Sequence, residues 1–261
     1  MLCSGGANAT VADLIQDVYG GVDSTFDTEH GREEYIIGRA ILTPLNEDVD
    51  RINAGVMANF VLCGADGAPA ASQVYKSADC VVEGEQSGYY PVEFLNTLHF
   101  SGMPPHELYL KVGCPVILLR NMSGGLANGT RLIVHKLYPR VLEAVVATGP
   151  RKGEVAFIPR IDITPSDAEN WPFTMRRRQF PVRPAFAMTV NKAQGQTLSA
   201  VGLYLPKPVF SHGQLSVAFS RVGRPHGIKV LAVGGRVQGV PGVPDGVYTK
   251  NVVYREVFGA G

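Results

Sequence analysis

The apolar pattern of this chain changes character twice, and no other feature constrains the fold as much. Tyr35-Ile-Ile-Gly-Arg-Ala-Ile-Leu42 ends in a continuous apolar run, Pro44 breaks it, and Val49, Ile52, Val56 and Phe60 follow at helical spacing. That is one β-α unit, with Asn46 placed to cap its helix. From His106 to Thr164 the pattern becomes short and alternating. Leu108 to Val112, Val116 to Leu119, Arg131 to His135, Val141 to Ala147 and Val155 to Ile158 are separated by Gly, Pro or the Asn128-Gly129 turn signal. Such spacing predicts a small barrel. After Trp171 the α/β pattern returns, with strands at 185–190, Val201 to Leu205 and Ile228 to Val233 and a helix near Arg221. An α/β domain carrying an inserted all-β segment is the predicted architecture.

Elsewhere the signals are weaker. Thr10 and Asp13 form a capping-box pattern for a short helix over residues 10–19, with Val11, Leu14, Ile15 and Val18 on one face. Tyr19 to Glu34 is acidic and contains Gly, which predicts a loop, and Cys63 to Tyr90 predicts a loop or weak hairpin. No apolar run approaches the roughly 20 residues that span a bilayer; Val112 to Leu119 is the longest and contains Pro115. The first residues have neither the basic nor the apolar region of a signal peptide. Cys3, Cys63, Cys80 and Cys114 show no Cys-x-x-Cys spacing, and no histidine has metal-ligand spacing, so no metal site is expected and a reducing intracellular compartment fits.

Charge is segregated along the chain. Residues 1–99 carry 4 Lys/Arg against 15 Asp/Glu, a balance of −11, and residues 100–261 carry 20 against 8, a balance of +12. The segregation predicts that nucleic acid meets the second half. Ordinary solvated surfaces that happen to differ in sign are the bland alternative.

Two segments carry most of the chemistry. Thr189-Val-Asn-Lys-Ala-Gln-Gly-Gln-Thr-Leu198 groups polar side chains around Gly195, where a backbone without Cβ can approach an anion closely. Val217-Ala-Phe-Ser-Arg-Val-Gly223 places Arg221 on a predicted helix stopped by Gly223. A guanidinium at a rigid position suits developing phosphoryl charge. The same arginine at a helix end can instead bond its own C-terminal carbonyls.

Together with Ala40-Ile-Leu-Thr-Pro-Leu-Asn-Glu-Asp-Val-Asp50, Leu110 to Asn121, Gly125 to Arg131, Arg178 to Arg183 and Phe210 to Gln214, these segments resemble superfamily-one helicases of the petite-integration-frequency (Pif-type) and Helitron branch, related to RecD. The resemblance runs over roughly residues 36–255. It implies an α/β fold: a second RecA-like motor domain, a parallel sheet with helices, carrying an inserted SH3-like β-barrel. The implied segments are an N-terminal helix and acidic loop (1–34), motor domain in two parts (35–90 and 169–255) and inserted barrel (91–168).

The resemblance also implies roles. Arg221 is catalytic, reaching the γ-phosphate of ATP from across the cleft between two motor domains, and Gly195 and Gln196 face the nucleotide with it. Thr189, Asn191 and Lys192 face single-stranded DNA; the family often has histidine at the position of Asn191, and asparagine keeps a donor without the ring. Asn46 contacts DNA or merely caps its helix, Lys192 is alternatively a plain loop lysine, Gln194 alternatively fixes the loop by a hydrogen bond, and His212 and Gln214 are read as capping or structural rather than catalytic. Lys111, Arg120, Arg131, Lys136, Arg160 and Arg176-Arg177-Arg178 are candidate phosphate contacts, with Arg120 and Arg131 foremost, and Tyr109, Tyr138, Phe157 and Phe180 are candidate base-stacking rings.

Helicases of this type hold ATP and Mg²⁺ with a Gly-x-x-x-x-Gly-Lys-Ser/Thr loop and an acidic pair, and this sequence contains no such loop; Gly149-Pro-Arg-Lys-Gly153 lies between predicted barrel strands. The chain is therefore expected to be the C-terminal half of an ATP-dependent 5′-to-3′ DNA helicase, inactive in hydrolysis without a first motor domain in cis. A non-enzymatic single-stranded DNA-binding or partner-binding module, left by a decayed or truncated helicase, is the competing expectation. Nucleus, or alternatively mitochondrion, is the location the resemblance implies.

Overall fold

A computed structural model of the chain describes residues 2–3, 9–21, 29–59, 69–82, 89–165, 171–238 and 245–254. Phe60 and Cys63 lie outside the described residues. The chain divides into two compact units: residues 1–60 with 186–261, and residues 61–185 between them.

The elements follow in chain order. The first unit opens with α1 (Val11–Tyr19), α2 (Glu29–Ile37), β1 (Arg39–Thr43) and α3 (Asn46–Asn59). The second holds β2 (Ser72–Lys76), β3 (Ala78–Val81), α4 (Val92–Thr97), β4 (Glu107–Lys111), β5 (Pro115–Leu118), β6 (Arg131–Leu137), β7 (Val141–Val146), β8 (Val155–Pro159), β9 (Ile161–Ile163), β10 (Met175–Gln179) and β11 (Val182–Pro184). The chain returns to the first unit with β12 (Ala187–Thr189), a 3-10 turn (Val190–Ala193), β13 (Ala200–Leu205), α5 (Gln214–Phe219), β14 (Ile228–Ala232), and the short pair β15 (Arg236–Val237) and β16 (Gly246–Val247).

In the first unit a four-stranded sheet runs in the order β12-β1-β13-β14 with every neighbour parallel. Ala40, Leu42, Val201, Leu203 and Leu205 are buried along β1 and β13, as continuous apolar runs in a parallel sheet require. α1 begins with the capping box read from sequence: the Thr10 hydroxyl accepts from the Asp13 amide, and the Asp13 carboxylate accepts from the Thr10 amide at 2.7 Å. That amide holds the Asp13 carboxyl below its ordinary range. α1 lies close on β13 at Gly202, where an added Cβ would stand 2.9 Å from Val18 and 3.2 Å from Ile41 and Leu14. Part of the predicted loop at 19–34 is helical, because α2 starts at Glu29.

Among its described residues the second unit is all-β apart from α4. A five-stranded antiparallel sheet runs β11-β5-β6-β7-β8, β10 lies between β3 and β9, and β2 pairs with β4. The strands expected from sequence are all present. Among the described residues the order is open, with no pairing of β8 to β11, and the expected small barrel is not confirmed. The segment predicted as a loop or hairpin supplies β2 and β3, which pair with strands remote in sequence rather than with each other. The unit accordingly runs from 61 to 185, wider than the expected 91–168, since those pairings draw β2, β3, β10 and β11 into it.

Candidate functional site

β12 ends at Thr189, and β13 starts at Ala200 on the far side of β1, so residues 190–199 must return the chain past β1 in a short span. Val190 and Ala193 are buried within the 3-10 turn, whereas Asn191, Gln194, Gly195 and Thr197 are exposed, with Lys192 and Gln196 half-buried. Gly195 has φ of +80°, a conformation that L side chains rarely adopt, and open space lies where a Cβ would stand. Gln196 is folded back onto the turn: its amide donates to the Ala193 carbonyl at 3.1 Å, and its Nε2 donates to the Lys192 carbonyl at 3.1 Å.

Arg221 does not sit on a helix as predicted. α5 ends at Phe219, and Arg221 follows its C-cap, Ser220. The guanidinium turns back: Nε donates to the Val217 carbonyl at 2.9 Å, Nη1 to the carbonyls of Gln196 at 3.1 Å and Ala193 at 3.4 Å, and Nη2 to Ser220 Oγ at 2.8 Å. The Leu198 amide also donates to the Arg221 carbonyl at 2.8 Å. The two family-like segments are thus one bonded surface. The bond to Val217 is the helix-end role weighed against the phosphate role, and both it and the loop contacts use donors that a phosphoryl group would need.

At the carboxyl end of the sheet, Thr43 pairs in register with Thr189. Thr43 is fully buried, and its hydroxyl oxygen has no hydrogen-bond partner among the described residues. Asn46 is exposed and is the first residue of α3 rather than the residue before it, with the Leu45 carbonyl accepting from the Val49 amide. Gln214 and His212 are structural here. Gln214 accepts from the Phe210 amide at 3.3 Å, and His212 Nδ1 accepts from the Tyr254 amide at 3.0 Å while its ring stacks on Tyr254.

The second unit corrects several expectations. Arg131 is fully buried and donates through Nη2 to the Ala185 carbonyl at 3.2 Å, which removes it from a strand-facing role. Arg120 donates to the carbonyls of Leu119 and Thr164, both at 3.2 Å. The period of β10 divides Arg176-Arg177-Arg178: the outer two flank Asp162, and Arg177 is buried in a bidentate pair with Asp79. Ser77 Oγ donates to the same carboxylate at 2.6 Å, and Arg177 also donates to the carbonyls of Pro104 and Leu95. Arg160 lies over the rings of Tyr75 and Phe180, and Phe180 is fully buried. The charge asymmetry disappears as well. Residues 61–185 carry 13 Lys/Arg against 11 Asp/Glu, and the rest of the chain carries 11 against 12, so neither unit is strongly basic.

Residues 93–137 match the family described as DNA helicase Pif1, 2B domain. Over 147 residues the chain is 33% identical to the ATP-dependent DNA helicase PIF1 of Homo sapiens, covering 53% of this chain and 21% of that protein. It is 32% identical to PIF6 of Trypanosoma brucei brucei over 120 residues, 44% of this chain and 15% of that protein. Over about half of its length the chain is thus similar to Pif1 helicases. It spans about a fifth of the length of the curated relatives it matches, as a partial, C-terminal portion. Among solved structures, Pif1 from Bacteroides in complex with ADP-AlF3 and ssDNA aligns with a TM-score of 0.55 at 22% identity, over 86% of this chain and 46% of that one. Pif1 from Candida albicans aligns at 0.52 and 22%, over 84% and 53%. These likenesses carry the fold.

One residue had no signal in the sequence. Asn53, buried on α3, accepts from the Ala187 amide at 2.9 Å and donates to the Ala187 carbonyl at 3.1 Å. Among the described residues β12 is an edge strand, and Asn53 satisfies its outer side where none of their strands does. Tyr19 donates from its hydroxyl to the Phe186 carbonyl at 2.7 Å. Both contacts fix the strand that delivers Thr189.

Proposed function

We propose that this chain is the second motor domain, with its inserted all-β unit, of an ATP-dependent DNA helicase that moves 5′ to 3′ on single strands. The joining of Arg221 to the Gly195 loop carries the reading: one bonded surface holds a guanidinium, a positive-φ glycine and the polar residues Thr189, Asn191 and Lys192. ATP is the substrate. Gly195 and Gln196 line its phosphates, Arg221 exchanges carbonyls for developing phosphoryl charge, and an arginine in that role is worth roughly 10³ to 10⁵ in turnover. Mg²⁺ would arrive with the nucleotide and be held by a first motor domain.

Asn191 and Lys192 contact the DNA backbone, and Thr189 joins them at the strand end. The relatives' names support ATP-dependent work on DNA, and the proposed setting is repair, recombination or telomere maintenance, in the nucleus or mitochondrion. Among the described residues no helix is long and apolar enough to cross a membrane. Arg120 and Asn46 remain in the proposed strand-facing set as exposed or partly exposed groups; Arg131 does not.

A second reading, a DNA-binding module without hydrolysis, is favoured by the engaged donors of Arg221. Titrating this chain with a single-stranded oligonucleotide tests the DNA half of both readings. Lys192→Ala is expected to weaken binding and to flatten its salt dependence by about one ion; affinity unmoved by salt would overturn it.

A further inference from the structure

The turn between β6 and β7 presents Tyr138, Pro139 and Arg140, and with Val141 and Phe157 these line one pocket. Tyr138 is 41% exposed and Phe157 61% exposed, far more than core rings. The turn is held at both sides: the Tyr138 amide donates to the Val141 carbonyl at 3.2 Å, and the Tyr75 hydroxyl donates to the Tyr138 carbonyl at 3.1 Å. Phe157 stands opposite Glu143 in the β7–β8 register. Glu143 is already neutralised by Lys136, whose Nζ lies 3.0 Å from it. Glu154, also near the edge of this sheet, is engaged by Arg151. Arg140 is exposed and makes no hydrogen bond or ion pair among the described residues. The pocket therefore holds two open rings, a proline and an uncompensated cation, on a backbone already ordered.

We propose that Tyr138, Arg140 and Phe157 form a base-stacking subsite for single-stranded DNA on the second unit. This rests on the reading that the chain handles single-stranded DNA. Each ring offers a flat face to a base, which is tolerant of sequence, and Arg140 meets a neighbouring phosphate. Because the turn is pre-ordered, little conformational entropy is lost on binding. Charge decides between occupants: a pocket whose acids are paired and whose arginine is free favours a polyanion with aromatic bases over a basic or neutral peptide.

The experiment measures the affinity of the full chain, by fluorescence anisotropy, for an oligothymidine and for the same oligonucleotide made abasic. The wild type prefers the thymidine strand by about 10-fold or more. Tyr138→Ala with Phe157→Ala removes most of that preference, Tyr138→Phe keeps it, and Lys192→Ala weakens both oligonucleotides together without changing their ratio. Arg140→Ala lowers the salt slope by about one for either strand. Tyr138, Arg140 and Phe157 are exposed and Lys192 is half-buried, and an unchanged melting curve verifies folding. A double alanine variant with the full thymidine preference overturns the subsite while leaving the DNA reading intact, as does a pocket that instead captures an acidic peptide with no effect on DNA. If the wild type binds neither oligonucleotide, the DNA reading itself falls.

Discussion

Arg221 donates from Nη1 to the main-chain carbonyl of Gln196 at 3.1 Å, so the arginine that follows α5 also closes the loop around Gly195. The loop and the arginine are therefore one mechanical piece. Substituting Arg221 by Ala leaves the Gln196 and Val217 carbonyls to solvent and should destabilise the chain by about 1–3 kcal/mol in denaturant titration. Arg221→Lys can reach one carbonyl but not three, and should fall between. A wild-type midpoint in Arg221→Ala would show the contacts to be incidental.

Asn53 makes a sharper structural prediction. Asn53→Leu keeps the volume but orphans both the amide and the carbonyl of Ala187, each costing about 1–3 kcal/mol when buried. Native-state hydrogen exchange at the Ala187 amide should accelerate markedly. Protection equal to the wild type would mean that the edge of β12 is covered by something else.

The buried pair of Arg177 and Asp79 should behave asymmetrically. Asp79→Ala strands a buried guanidinium and should cost about 3–5 kcal/mol, whereas Asp79→Ala with Arg177→Met should recover much of that loss. Thermal melts of the two variants decide the matter, and equal destabilisation of single and double variants would contradict it.

Cys114 links stability to alkaline pH. Burial raises its thiol from 9.0 to about 12, outweighing the hydrogen bond from the backbone. Since the unfolded thiol ionises first, the unfolded state loses its proton between those values and stability falls as pH rises through that window, by up to about 1.4 kcal/mol per pH unit. Below about pH 9 the contribution is fully present. Cys114→Ala should flatten the decline, and an unchanged slope would place its origin in other groups.

Much of the α/β unit was legible in the sequence because its strands are continuous apolar runs and its first helix carries a reciprocal cap. Thr10, Asp13 and the run Ala40 to Leu42 all signal locally. What could not be read is long-range. The pairing of β3 with β10 joins residues 78–81 to 175–178, and only that register sends Arg177 inward while its neighbours face out. Arg131 and Phe180 misled for the same reason, since a basic or aromatic letter says nothing of which face it takes once a remote strand fixes the sheet. The charge asymmetry was a property of chain order and not of folded units, because the second unit takes in acidic residues from before residue 100. At the candidate site, the proposed roles of Gly195 and Arg221 rest on the sequence, and the bond between their segments was not legible there, as it depends on α5 ending at Phe219.

The most direct measurement is single-stranded DNA-stimulated ATP hydrolysis by this chain fused behind a first motor domain that carries a phosphate-binding loop, compared with Arg221→Ala in the same fusion. The account predicts turnover in the first and a loss of roughly 10³-fold or more in the second, with DNA affinity retained. Equal turnover in the two would contradict it, leaving Arg221 as a loop tether alone.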